Sequence, residues 1–331
     1  MVLAAAHPVH FRLDELQRAL GRALPSASLN TEGGPPLELS AAVDPPLIAR
    51  ADVVEDDALR ARAVVGDPEP HFTAFLDGTQ RSDLMAHAED GAPIVLGVTA
   101  AVVRQWTRGR AATWAHVVRQ RLYAPRRAMR AAEWDALEAL GPAAIDTAAD
   151  DPTLADAHPL AHRDAALKQI HRDREQLEQQ VAQKWCAERP EALYVDGGLR
   201  GSVILARAAQ TVGVIKSHRT LYGDGAARRV IFALDERERS SVFVVASPSR
   251  VPVASWYLRL RPRAGRDPLW GLVRVEVRHE PDMPRPAITA RADDLSRRIL
   301  AERSPTAHPD GRWDTMAYGI RDCEVFLKAI Q

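Results

Sequence analysis

Three apolar runs follow one another closely in the first half of the chain: residues 71–79 (HFTAFLDGT), 93–103 (PIVLGVTAAVV) and 114–123 (WAHVVRQRLY). The gaps leave little room for a crossover helix, so the spacing predicts consecutive antiparallel strands of a meander. Within the first run, FTAFLDGTQRS sets Asp77 and Gly78 after the apolar residues. Far downstream, EALYVDGGLRG repeats the pattern at Asp196, Gly197 and Gly198. A carboxylate at the end of a buried strand needs hydrogen bonds, a cation or a metal ion to offset its desolvation. Asp-Gly is also a common turn dipeptide, so either end taken alone needs no function. Two of them in one sheet could converge.

Around these strands, residues 11–24 have helical spacing and residues 25–46 read as a Pro- and Gly-rich irregular connection. Residues 1–50 are therefore expected to form a helical, irregular N-terminal arm, and residues 51–331 the main domain. Residues 126–140 read as a helix and 141–159 as an acidic loop. A long charged helix follows over 161–188, with Ala166, Ile170, Leu177, Val181 and Trp185 along one face. It leads into the strand holding Asp196. Beyond it come a helix over 202–212, strand candidates at 213–220, 228–234, 241–247, 255–261 and 269–280, and helices over 292–303 and 317–330. Strands clustered with helices at both ends fit a mixed α/β sheet without regular βαβ alternation. No phosphate loop of the GxGxxG or GxxxxGK[ST] kind is present, and no solenoid repeat.

Composition narrows the function classes. Forty-four basic residues balance 44 acidic ones, so any nucleic-acid surface must be local. Only Lys168, Lys184, Lys216 and Lys328 are lysines. Arginine forks suit phosphate, although coding bias gives the same excess. Two cysteines, Cys186 and Cys323, lack metal-site spacing and suit a reducing compartment. The opening residues carry no basic leader before an apolar core, and no apolar stretch is long enough to span a bilayer. The expectation is a cytoplasmic protein with no membrane contact.

Clustered carboxylates suit a hard divalent cation, and a pair of such ions can activate water against a phosphodiester. That chemistry needs a third acid. Glu175 and Glu178 lie three residues apart on the long helix, and the pattern alone also fits a solvated charged face. His158 and His162 have the i, i+4 spacing of a metal pair but lack the glutamate of HExxH. Asp235, Glu236 and Glu238 read as a hairpin turn, and Arg274 with Glu276 as a cross-strand ion pair.

The order of these motifs resembles the NurA family of nucleases: Asp-Gly in a first strand, REQLEQ in a helix, YVDGGLRGS, VGVIKS, then WYLRL with VRVEV. The resemblance spans roughly residues 70 to 330. It implies an RNase H-like mixed sheet flanked by helices, a homodimer, DNA end processing with Mn²⁺ (or Mg²⁺), and a HerA-type hexameric ATPase as partner, in DNA repair or antiviral defence. Carried over, the catalytic positions fall on Asp77, Glu178, Asp196 and Lys216, with Glu175 a rival for the helix position. The metal ligands fall on Asp77, Glu178, Asp196 and Glu324. Glu324 stands where the family has a histidine, with Tyr318 and Asp322 as nearby alternatives. Arg81, Arg200 and Lys216 are the expected DNA contacts. The replaced histidine also leaves open a catalytically weak or inactive subunit that serves as a DNA-binding or assembly platform for the ring ATPase.

Overall fold

The computed structural model describes residues 12–29, 46–107, 109–154, 157–304 and 313–330. The expected meander is present as β1 (Ala74–His87), β2 (Pro93–Thr107) and β3 (Arg110–Ala124), with β4 (Ala143–Asp146) parallel to β3 on its outer edge. On the other edge of β1 come β5 (Leu193–Asp196) and β6 (Thr211–Ile215), each parallel to its neighbour. Three antiparallel strands follow: β7 (Phe243–Ser247), β8 (Arg250–Arg259) and β9 (Leu272–Arg278). The order across the sheet is β4-β3-β2-β1-β5-β6-β9-β8-β7, and short pieces at its margins bring the total to 13 strands. A meander extended on one side by two parallel strands, with helices on both faces, makes the expected mixed α/β sheet flanked by helices.

The helices are α1 (Leu13–Ala23), α2 (Ala131–Glu138), α3 (Pro159–Glu188), α4 (Val203–Arg207), α5 (Gly225–Ala233), α6 (Arg285–Glu302) and α7 (Tyr318–Ile330). On α3, Leu177, Val181 and Trp185 pack over Leu76, Val103 and Val195 on one face of the sheet. Ile299, Leu300, Ile320 and Leu327, from α6 and α7, cover Phe75, Val102 and Val275 on the other. Covered on both faces, β2 is buried from Pro93 to Val103 and therefore reads as a continuous apolar run rather than an alternating one.

Several expectations are corrected. α1 does not stand off as an arm: Leu16, Leu20 and Leu24, one turn apart, are buried in a cluster with Leu96, Leu122 and Trp134. Residues 30–45 of that expected arm lie outside the described residues. Of residues 228–234, expected as a strand, 228–233 belong to α5, which buries Ile231 alone. A five-residue apolar run, Val230 to Leu234, does not distinguish the two periods by itself. The expected helix over 202–212 ends at Arg207 because Thr211 already pairs with Leu193. Part of the expected acidic loop pairs with β3 as β4.

A buried ionic network ties residues 55–62 to the sheet. Arg239 and Glu55 are both fully buried and joined at 2.8 Å, and Asp293 takes the Nε of Arg239 at 2.6 Å. No helix among the described residues is long and apolar enough to cross a membrane.

Candidate functional site

Strand register brings the two Asp-Gly segments together. β1 and β5 pair Ala74 with Leu193, Phe75 with Tyr194 and Leu76 with Val195, so the next step sets Asp77 against Asp196. Neighbouring strands run about 4.8 Å apart, and alternation puts both acids on the face of Phe75 and Tyr194. The rings of that pair lie 5.5 Å apart. β5 stops at Asp196, whereas β1 continues to His87 against β2. The expectation that Asp77 ends a strand is thus corrected: only its β5-side ladder ends there. On the next strand Val214 pairs with Asp196. Two residues later Lys216 returns to the same face, and its Nζ donates to Asp196 Oδ2 at 2.8 Å.

Asp77 is 8% exposed, and its Oδ1 accepts the Gly78 N–H at 2.8 Å. Burial holds its carboxyl well above the usual range. Asp196 and Glu178 push the same way, against Lys216 and the Gly78 amide.

Glu178 approaches from the opposite face. Gly78 alternates onto the side covered by α3, and a Cβ built there would collide with the Glu178 carboxylate. Gly78 is therefore not a turn residue: it sits in the ladder opposite Ala101, outside the left-handed region. Its missing side chain admits Glu178. Arg174, one turn earlier, pairs with Glu178. Burial lifts the Glu178 carboxyl to about 7; Asp196 and Glu175 add to the shift and Arg174 opposes it. Glu175, the rival position, is half exposed and pairs with His171 at 3.4 Å.

Asp196 and Glu178 form the acidic end of a cleft of about 390 Å³ whose walls carry Arg174, Arg200, Arg250 and Arg274. Asp77 is buried and does not line the cleft. Arg200 donates to Tyr222 Oη at 3.3 Å and Ser247 Oγ at 2.9 Å, and has no carboxylate partner among the described residues. Arg81 is not among the residues lining the cleft and pairs with Asp83 at 3.0 Å. Glu324 accepts from Arg321 at 3.0 Å and is not among the main charges acting on Asp77. Asp322 pairs with Arg104 at 2.6 Å, and the Tyr318 ring lies tilted against Trp106 with centroids 5.5 Å apart.

The remaining candidates have structural places. His158 caps α3 by accepting the Leu160 N–H at 3.1 Å, and His162 is buried, so the two do not act as a metal pair. Asp235 to Glu238 form a turn, with Arg237 left-handed at φ 63°, but it joins α5 to a short strand rather than two strands of a hairpin. Arg274 and Glu276 pair at 2.6 Å along one strand, not across two. Arg174 and Arg250 were not singled out from the sequence. Arg174 carried a signal, the i, i+4 spacing to Glu178.

In donor chemistry Asp77, Glu178 and Asp196 fit a hard divalent cation: three carboxylates, two of them driven toward protonation by burial and by the neighbouring acids. As they stand, no three His, Cys, Asp or Glu side chains among the described residues are gathered closely enough to hold one ion. Lys216 and Arg174 take carboxylate oxygens instead.

No known family model matches the chain, and no curated protein matches it. Among solved structures it is similar to the NurA nuclease from Sulfolobus solfataricus, with 10% identity over 81% of this chain and 81% of that one, and a TM-score of 0.48.

Proposed function

We propose that this protein is a metal-dependent deoxyribonuclease in which Asp77, Glu178 and Asp196 hold Mn²⁺ or Mg²⁺. The observation that carries the reading is the meeting of Asp77 and Asp196 on adjacent strands, with Asp196 and Glu178 together at the acidic end of an arginine-walled cleft. When bound, a divalent cation there supplies a water of lowered pKa and takes up charge on the phosphodiester. The chain's own residues do the rest. Arg200 and Arg250 meet backbone phosphates, and Lys216 keeps Asp196 oriented and adds positive charge beside the scissile group. Arg174 holds Glu178 toward the sheet. Glu324 joins the ligands only after release from Arg321, and Arg81 reaches DNA only outside the cleft.

The order of motifs supports the finer reading: a homodimer in the cytoplasm that processes DNA ends with a HerA-type hexameric ATPase, in repair or antiviral defence. The paired state of the carboxylates favours a second reading, a catalytically inactive platform for that ATPase. End-labelled linear DNA incubated with Mn²⁺, with and without the ATPase, separates the two. Degradation by the wild type, lost in Asp77→Asn and Asp196→Asn, is the expected result. A folded wild type that cleaves nothing, and binds no Mn²⁺ by calorimetry, overturns the nuclease reading.

A further inference from the structure

The turn that follows Asp196 rests on a second carboxylate. Glu276 on β9 is 1% exposed, and its Oε2 accepts the Leu199 N–H at 2.9 Å. Its Oε1 accepts from Arg274 Nη1 at 2.6 Å. Two glycines make the approach possible. A Cβ on Gly198 would lie 3.1 Å from Glu276 Oε2, and one on Gly213, which pairs with Glu276 across the ladder, would lie 2.7 Å from the Gly197 carbonyl oxygen. Gly197 takes φ 133°, a conformation that side chains disfavour.

The contact chain continues from the other end of the carboxylate. The Arg274 guanidinium sits 4.9 Å over the Tyr222 ring, and the Tyr222 hydroxyl accepts from Arg200. Both the backbone that carries Asp196 and Arg200 and the guanidinium of Arg200 are thus referred to one buried ion pair. A buried ion pair is a poor way to gain stability, because apolar residues of similar volume serve as well or better. Fixing a turn at the edge of a cleft is what the charge adds.

We propose that Glu276 is a positioning residue: by clasping the Leu199 amide it sets the turn that presents Asp196 and Arg200 to the cleft. Its catalytic consequence rests on the nuclease reading, but the clasp itself does not.

Two double variants isolate the clasp. Arg274→Met with Glu276→Gln leaves no unpaired buried charge and keeps an oxygen for the Leu199 N–H; Arg274→Met with Glu276→Met removes that oxygen. Hydrogen exchange of the peptide spanning Leu199 is compared with single-turnover cleavage of linear DNA in Mn²⁺. The Gln variant should keep the protection of the wild type. The Met variant should exchange about tenfold faster at the turn, with β5 and β6 unchanged. Its cleavage rate should fall a further ten- to hundredfold, on the order expected for a misplaced reacting group. Glu276→Asp, which keeps the charge but withdraws the oxygen by one methylene, gives the same readout should the Met variant not fold. Equal exchange at Leu199 in the Gln and Met variants overturns the proposal, as does faster exchange with unchanged cleavage. A wild type that cleaves no DNA sinks the nuclease reading, and the exchange comparison still decides the clasp.

Discussion

Replacing Glu178 by glutamine should stabilise the metal-free protein, and only above mildly acidic pH. The Glu178 carboxyl is lifted from 4.5 to about 7, chiefly because burial penalises the charged form, with Asp196 and Glu175 adding to it and Arg174 opposing. A carboxyl whose pKa is raised by folding binds its proton more tightly in the folded state. Below about pH 4.5 both states are protonated and Glu178 contributes nothing to the pH dependence. Between that value and about pH 7 the unfolded chain ionises first, so stability falls as pH rises. Above pH 7 the loss is complete. A rise of about two and a half units at 1.36 kcal/mol each comes to about 3 kcal/mol. The Gln variant has no such proton to lose. The difference in unfolding free energy between variant and wild type should therefore grow by about 3 kcal/mol from about pH 4.5 to about pH 8. Urea unfolding in the presence of a chelator, run across that range for both proteins, measures it. Parallel pH profiles would refute the assignment of Glu178 to a buried, acid-rich site, whatever their absolute offset.

Gly78→Ala should destabilise the fold by about 1–3 kcal/mol, because the new methyl group meets the Glu178 carboxylate against a packed α3. Unfolding midpoints report it, and an unchanged midpoint would mean that α3 yields freely at this point. Arg250 is exposed and has no ion-pair partner among the described residues, so Arg250→Ala should leave stability unaltered. It should weaken DNA binding about equally for all sequences and reduce the slope of log K against log salt by about 0.9. Fluorescence anisotropy over a salt series measures that slope, and an unaltered slope would take the cleft off the path of the DNA.

The parts of the fold legible in the sequence were those that local spacing decides. The meander was legible because the gaps between its strands leave no room for a crossover, and α3 because its apolar positions recur at helical spacing beneath a charged surface. Residues 228–234 were misread because Val230, Ile231 and Phe232 suit either period. The choice was made by burial of Ile231, a tertiary contact. β4 was missed because four residues inside an acidic stretch carry too little pattern to stand against it.

The site divides along the same line. That Asp77 shares a face with Phe75, and Asp196 with Tyr194, follows from two-residue alternation and needs no structure. That those faces are adjacent depends on parallel pairing between segments more than a hundred residues apart, which no local signal specifies. The two glycines that matter most belong to Asp-Gly segments that fit a turn equally well, whereas each is a gap fitted to one carboxylate: Gly78 to Glu178, and Gly198 to Glu276. Glycine opposite an acid has no periodicity to betray it. What the sequence does contain is the acid itself at a buried position, Glu276 between Val275 and Val277, where desolvation demands a partner. Arg274 meets that demand for one oxygen only; a carboxylate has two, and the second one holds the turn beside Asp196.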